Sequence, residues 1–167
     1  MNPVRKKYLT NNPSQTKKLG EILAKEVIKT KPSKRALVIG LEGDLGGGKT
    51  TFLQGFAKGL GIKEKTLSPT FVIMRKSKIP GTRFAGAKSK FKKFYHIDCY
   101  RVGKPKEILD LGSKEIITNS QNNVAIEWAD RVRKIIPKRA IWLTFGFINK
   151  NKRKITIWTP TFPPPSR

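Results

Sequence analysis

Residues 43–50 read Gly43-Asp44-Leu45-Gly46-Gly47-Gly48-Lys49-Thr50, a complete G-x-x-x-x-G-K-T pattern. The residue types state its chemistry. Glycines let the backbone curl until successive N–H groups point at one anion. The lysine reaches the terminal phosphates of a nucleotide, and the threonine hydroxyl is a ligand for Mg²⁺. Thr51 extends the pattern, and Asp44 is placed to cap or orient the glycine turn. Hydrolysis asks for more than a phosphate cradle: the metal has to be held from a second side and a water has to be aimed. Two apolar runs end in a carboxylate, Tyr95-His96-Ile97-Asp98 and Val124-Ala125-Ile126-Glu127. Acidic groups at the C-terminal ends of parallel strands face the ligand edge of an open α/β sheet, so Asp98 and Glu127 are the candidates for both tasks. The plainer alternative is that each caps a helix or pairs with a surface lysine.

The elements that must position these residues can be read around them. Residues 36–41 form a short apolar run, suited to a buried strand, and residues 51–60 continue as a helix with Phe52, Leu53 and Phe56 on one face. Strand, glycine loop and helix is the order that aims a helix N-terminus at phosphate. Upstream, residues 1–13 read as a loose basic lead-in. Leu19, Ile22, Leu23, Glu26 and Val27 then recur at helical spacing over 15–29, with Ser14 as the candidate N-cap. Downstream, Pro69 biases Ser68 to an extended conformation, and residues 71–74 read as a strand. Residues 75–93 hold eight basic side chains and no acidic one, with Pro80, Gly81 and Gly86, and read as a protruding loop or open hairpin. Residues 105–111 read as a helix. Residues 141–148 and 154–158 flank a polar turn, a hairpin signal. The tail, 160–167, is proline-rich and expected to be disordered. The expected architecture is α/β: a P-loop NTPase-like sheet, largely parallel, flanked by helices and ending in a C-terminal β-hairpin. It forms one domain over 14–159, with 75–93 as a basic insertion.

Composition bounds the setting. The chain has 167 residues, 36 Lys and Arg against 11 Asp and Glu, and a formal charge of +25. Such an excess suits an RNA, DNA or acidic-protein neighbour; the alternative is a lineage whose proteins are lysine-rich throughout. The single cysteine, Cys99, excludes an internal disulfide and reads as a small apolar residue; no Cys/His cluster suggests zinc. No run approaches the length of a membrane span and no apolar signal core follows the basic N-terminus, so a cytoplasmic protein with no membrane partner is expected. His96, the only histidine, reads as a packed, hydrogen-bonded side chain. Trp128 reads as a core residue, with stacking near a nucleotide as the alternative. Arg101 and Arg131 are weak candidates for neutralising phosphate.

Taken together, the ordered motifs resemble the TsaE family (older name YjeE), small bacterial ATPases required for threonylcarbamoyladenosine formation in tRNA. The resemblance covers residues 14–158. It rests on the helix start near Ser14 and Thr16, the loop from 43 to 51, and Ser68-Pro69-Thr70-Phe71. It continues through His96, Asp98, Tyr100 and Arg101, and ends on Glu127-Trp128 before the hairpin. It implies a protein that binds and slowly hydrolyses Mg-ATP alongside TsaB and TsaD partners, with TsaD transferring the threonylcarbamoyl group to tRNA and ATP hydrolysis resetting the complex. It implies that Lys49 and the N–H groups of Gly43, Asp44, Leu45, Gly46, Gly47, Gly48 and Thr51 surround the phosphates. Thr50 and Glu127 would then bind Mg²⁺, Asp98 would orient water or sense the terminal phosphate, Thr70 would sit in a switch segment, and Thr16 would lie near the adenine. The chain departs from the family in having Gly47 where alanine is usual, in a longer and more basic 75–93 stretch, and in its charge.

Rival chemistries stay open from sequence. A small-molecule kinase would use the same loop, with Arg75 and Arg83 closing as a lid. A GTPase is disfavoured because Asn149-Lys150-Asn151-Lys152 lacks the aspartate that reads guanine. A basic RNA-binding module with a vestigial nucleotide site would bind RNA in a salt-sensitive way that ignores ATP.

Overall fold

Unbroken burial along the central strands goes with a sheet that has a core on each face. In a computed structural model of the chain, the described residues are 4–31, 33–63, 72–81, 83–84 and 87–160. In chain order the elements are β1 (Val4–Thr10), α1 (Pro13–Lys29), β2 (Leu37–Gly43), α2 (Lys49–Gly59), β3 (Met74–Lys78), β4 (Arg83–Phe84) and β5 (Ala87–Lys88). They continue with β6 (Lys93–Asp98), α3 (Pro105–Asp110), α4 (Ser113–Thr118), β7 (Asn122–Glu127), a 3-10 helix (Ala129–Ile135), β8 (Ile141–Phe147) and β9 (Arg153–Thr159). Seven strands form one sheet in the order β1-β9-β8-β2-β7-β6-β3.

The sheet is parallel only at its centre, from β8 through β2 and β7 to β6. Both margins are antiparallel, β1 and β9 on one side and β3 on the other, so the largely parallel sheet expected from sequence is corrected. Two-residue alternation sorts the side chains. Ile39, Leu41, Phe94, Ala125, Leu143, Phe145 and Ile155 pack with Phe52, Phe56, Ala24 and Val27 of α1 and α2. Val38, Tyr95, Ile97, Val124 and Ile126 pack with Ile108, Ile117, Ala129 and Val132 on the opposite face. Phe56 is fully buried, with Phe94 5.9 Å away; truncating such a side chain to alanine costs about 3–5 kcal/mol.

Helices α1 and α2 pack backbone against backbone. A Cβ on Gly55 would lie 1.8 Å from the Lys17 carbonyl oxygen, and one on Gly20 would lie 2.2 Å from that of Phe52. Glu21 ties the pair from outside, with Lys25 at 2.8 Å along α1 and Lys58 of α2 at 3.7 Å. The hydrogen bond from Lys25, with the nearby ammonium groups, holds the Glu21 carboxyl below its ordinary range.

Several expectations change. The supposed lead-in is strand β1, paired along the whole of β9 from Val4↔Thr159 to Thr10↔Arg153. It shows no apolar alternation because every side chain before Thr10 is exposed, so its order comes from the ladder rather than from burial. Helix α1 is capped by Asn12, whose side chain accepts from Gln15 N–H at 2.8 Å, and not by Ser14. Of the stretch 75–93, the start is sheet margin paired to β6, and β4 with β5 makes a two-stranded hairpin. Ile79 and Phe91 are buried in the core, and the Lys90 ammonium caps the end of α1 at the Thr30 carbonyl, 2.9 Å away. The calls on Ser68, Pro69, Thr70 and Phe71, and on the tail from 161 onward, lie outside the described residues.

Candidate functional site

The site lies where β2, β6 and β7 end. Strand β2 runs into the glycine loop, and α2 starts at Lys49 with Gly48 as its N-cap. Gly48 has φ +99° and Gly46 φ +73°, left-handed values that glycine reaches without a Cβ penalty. This puts the open N-terminus of α2, with its unpaired N–H groups and positive end, at the mouth of a cleft of about 450 Å³. The walls include Leu45, Gly46, Gly47, Gly48, Lys49, Thr50, Thr51, Asp98, Glu127 and Trp128, which unites most of the residues singled out from sequence.

Lys49 is folded onto its own loop. Its ammonium donates to the carbonyl oxygens of Gly43 at 2.5 Å and Asp44 at 2.7 Å, and the Trp128 ring covers it at 4.1 Å. Burial pushes this ammonium below the ordinary lysine range, while the carboxylates of Glu127, Asp44, Asp130 and Asp98 pull the other way. Lys49 is thus a partly desolvated cation held by neutral carbonyls, a state that an incoming polyanion improves.

Asp98 and Glu127 end adjacent parallel strands in direct register, yet their surroundings differ. Glu127 is 3% exposed. Its Oε1 accepts from His96 Nε2 at 2.7 Å, and the Thr50 hydroxyl lies 3.2 and 3.0 Å from its two oxygens. His96 is packed and hydrogen-bonded, and what it bonds is the candidate metal ligand, so it fixes the carboxylate's orientation. Asp98 is half-buried, and its Oδ1 accepts from the Tyr100 backbone N–H at 2.9 Å. Mg²⁺ takes one or two protein oxygens and completes its shell with phosphate and water. The converging Thr50 hydroxyl and Glu127 carboxylate fit that requirement. Among the described residues no group of three or more His, Cys, Asp or Glu forms an all-protein cage.

Trp128 lines the cleft, where the core placement was the first expectation. It is the one non-glycine residue with positive φ among the described residues, at 55°. That conformation is costly for a bulky side chain and turns the ring back over Lys49. Tyr100 lies 5.1 Å from it between ring centroids, and the Arg131 guanidinium lies 5.4 Å above its ring. Arg101 also lines the cleft.

Three of the expected residues stand back from the walls. Gly43 and Asp44 supply the carbonyls that hold Lys49. Thr16 is buried, bonded to Thr10 Oγ1 at 2.8 Å, and its methyl would lie 3.6 Å from a Cβ on Gly48. It therefore sits directly behind the loop. Thr70 lies outside the described residues.

Sequence reading missed Arg153. This first residue of β9 reaches across to the glycine loop, its Nε and one terminal nitrogen donating to the Gly46 carbonyl at 3.1 and 2.9 Å. Its other terminal nitrogen donates to Asn149 O at 2.7 Å. One arginine in a turn rich in cations carries no local signal; only the pairing of β9 beside β8, and β8 beside β2, brings it there.

Comparison with known proteins places the chain in a family. The family described as "Threonylcarbamoyl adenosine biosynthesis protein TsaE" matches residues 10–155. The tRNA threonylcarbamoyladenosine biosynthesis protein TsaE of Bacillus subtilis is 34% identical over 153 residues, covering 90% of this chain and 83% of that protein. Its namesake in a Nostoc species is 38% identical over 126 residues, covering 71% and 69%. The crystal structure of Bacillus subtilis YdiB superposes with a TM-score of 0.66 at 28% identity, covering 95% of this chain and 88% of that one.

Proposed function

The chain belongs to the TsaE family of tRNA threonylcarbamoyladenosine biosynthesis, and on that premise we propose that it is a Mg²⁺-dependent ATPase of P-loop NTPase-like fold. Its slow hydrolysis would sustain repeated turnover by TsaB and TsaD partners acting on tRNA. The observation that carries this reading is the contact of the Thr50 hydroxyl with the Glu127 carboxylate in the same cleft that Lys49 and the glycine loop line. A cytoplasmic setting and a single domain, with β1 part of its sheet, go with it. Among the described residues, no helix is long and apolar enough to cross a membrane.

The residues divide the work. The N–H groups of the loop and of the first turn of α2 cradle the phosphates. Lys49 leaves the Gly43 and Asp44 carbonyls and turns its ammonium to the terminal phosphates. Thr50 and Glu127 hold Mg²⁺, with His96 keeping the carboxylate aimed. Held there, the ion would supply positive charge against the charge that develops on the phosphate. Asp98, steadied by the Tyr100 N–H, accepts a hydrogen bond from the attacking water and sets its line of approach to the terminal phosphorus. Trp128 shields the ammonium from bulk water, which strengthens its pull on the phosphates. Thr16 braces the loop on the nucleoside side, and Thr70 belongs to the segment that responds to the terminal phosphate.

The test is multiple-turnover tRNA modification with TsaB, TsaD, threonylcarbamoyl-adenylate and unmodified tRNA, comparing the wild-type chain with Lys49→Ala. Sustained turnover in the first and its loss in the second is the expected result. ATP binding with no effect of either protein on turnover would refute the role.

A further inference from the structure

A second surface, on strands that carry none of the phosphate-binding groups, has the composition of a stacking platform. Trp142 of β8 and Trp158 of β9 are direct cross-strand partners, and Arg5 of β1 is the next partner along, opposite Trp158. Alternation puts Lys7 of β1, Thr144 of β8, and Thr156 and Lys154 of β9 on the same face. Both tryptophans are half-buried, while Arg5, Lys7 and Lys154 are exposed. Each indole carries its own guanidinium: Arg5 lies 4.5 Å from the Trp158 ring and Arg133 lies 4.2 Å from that of Trp142. Glu42 of β2 also points to this face, paired through its register with Thr144. Its charge is already engaged, by Arg133 at 2.7 Å and the Thr144 hydroxyl at 3.1 Å.

We propose that this open face of β8, β9 and β1 docks a segment of single-stranded RNA, its bases stacking on Trp142 and Trp158 and its phosphates met by Arg5, Lys7 and Lys154. Two paired indoles give flat apolar area that any base can cover, and arginine planes extend the stack. The surrounding cations track a polyanionic backbone, in keeping with the chain's charge of +25. An acidic protein would satisfy the cations alone and leave unused the flat area that the two indoles keep exposed, Trp142 packing its other side on the core. The choice of RNA over DNA rests on the tRNA pathway proposed above; the stacking chemistry does not.

The test uses the full-length chain without nucleotide and a fluorescently labelled 12-nucleotide single-stranded RNA of mixed sequence, followed by anisotropy across a salt series. Trp158→Ala and Trp142→Ala should each weaken binding about tenfold, and Trp158→Phe should recover most of the loss. Lys7→Gln with Lys154→Gln should lower the log–log salt slope by about 1.4, two charges at the single-strand value. Mg-ATP affinity should be unchanged in all of these variants, which certifies the fold. Trp variants that bind RNA as the wild type does would overturn the proposal, and so would a poly-glutamate peptide that displaces the RNA as well as unlabelled RNA does. Tighter binding of the same sequence as DNA would overturn the choice of RNA. Lys49→Ala should bind RNA normally while losing ATP, so a failed ATPase assignment and a failed RNA face give different results.

Discussion

The two halves of the sheet place polar groups in opposite ways. In the half made of β2, β7 and β6, both faces are covered, and at the C-terminal strand ends buried polar side chains bond one another: His96 to Glu127, Glu127 to Thr50. In the half made of β8, β9 and β1, one face is left open, and its charged groups are exposed cations lying on indoles. Burial makes an unpartnered polar group costly, and at this end of the strands the partners fix the direction of His96, Glu127 and Thr50. Exposure in the second half imposes no such demand: Arg5 lies over the Trp158 ring, and Arg133 lies over Trp142 while paired with Glu42. Precise chemistry suits the first arrangement and tolerant recognition suits the second.

Mutations can break that contrast at several strengths. The largest effect is expected from Lys49→Ala, which should weaken ATP binding about a hundredfold, the value of losing charge-assisted hydrogen bonds to phosphate; titration calorimetry would measure it. Glu127→Ala should lower Mg²⁺-dependent hydrolysis by about the same factor, and wild-type rates in this variant would refute the metal assignment. His96→Ala should cost about tenfold in hydrolysis and raise the Mg²⁺ concentration needed for half-maximal rate, with His96→Gln, which keeps a donor, recovering part of it. A simple packing role for His96 would lower stability without moving the Mg²⁺ requirement. Arg153→Ala tests the bridge from the second half to the glycine loop. It should weaken nucleotide affinity by only about three- to tenfold, because each of its hydrogen bonds is made near the surface. At the small end, Cys99 should resist alkylation at pH 8 in the native protein, since burial and the adjacent Asp98 push its thiol up to about 12. Stoichiometric labelling before unfolding would show that the β6 end opens freely.

The same contrast explains what could be read in advance. The glycine loop, both strand-end carboxylates and the C-terminal hairpin were legible because each has a local signature: fixed spacing, an apolar run with an acidic end, two β-rich runs about a turn. Strand β1 was not, because a strand exposed on both faces has no period to detect. Residues 75–78 were hidden in the same way: their charges suggested a loop, while the ladder to β6 and the burial of Ile79 and Phe91 decide otherwise. Short α4 and the 3-10 helix after Trp128 have too few turns for an amphipathic pattern. Arg153 and the Trp142–Trp158 pair depend on which strand lies beside which, information that exists only once the sheet is assembled.

The close contact of Gly55 with Lys17 and of Gly20 with Phe52 has one more consequence. Thr16, behind the glycine loop, stands on one of these helices and Thr50, in the cleft, on the other, so the spacing between them is set by main chain touching main chain. It works as a gauge whose calibration no surface side chain enters. Outward positions on α1 and α2 can therefore change to lysine and the gauge will still read the same length.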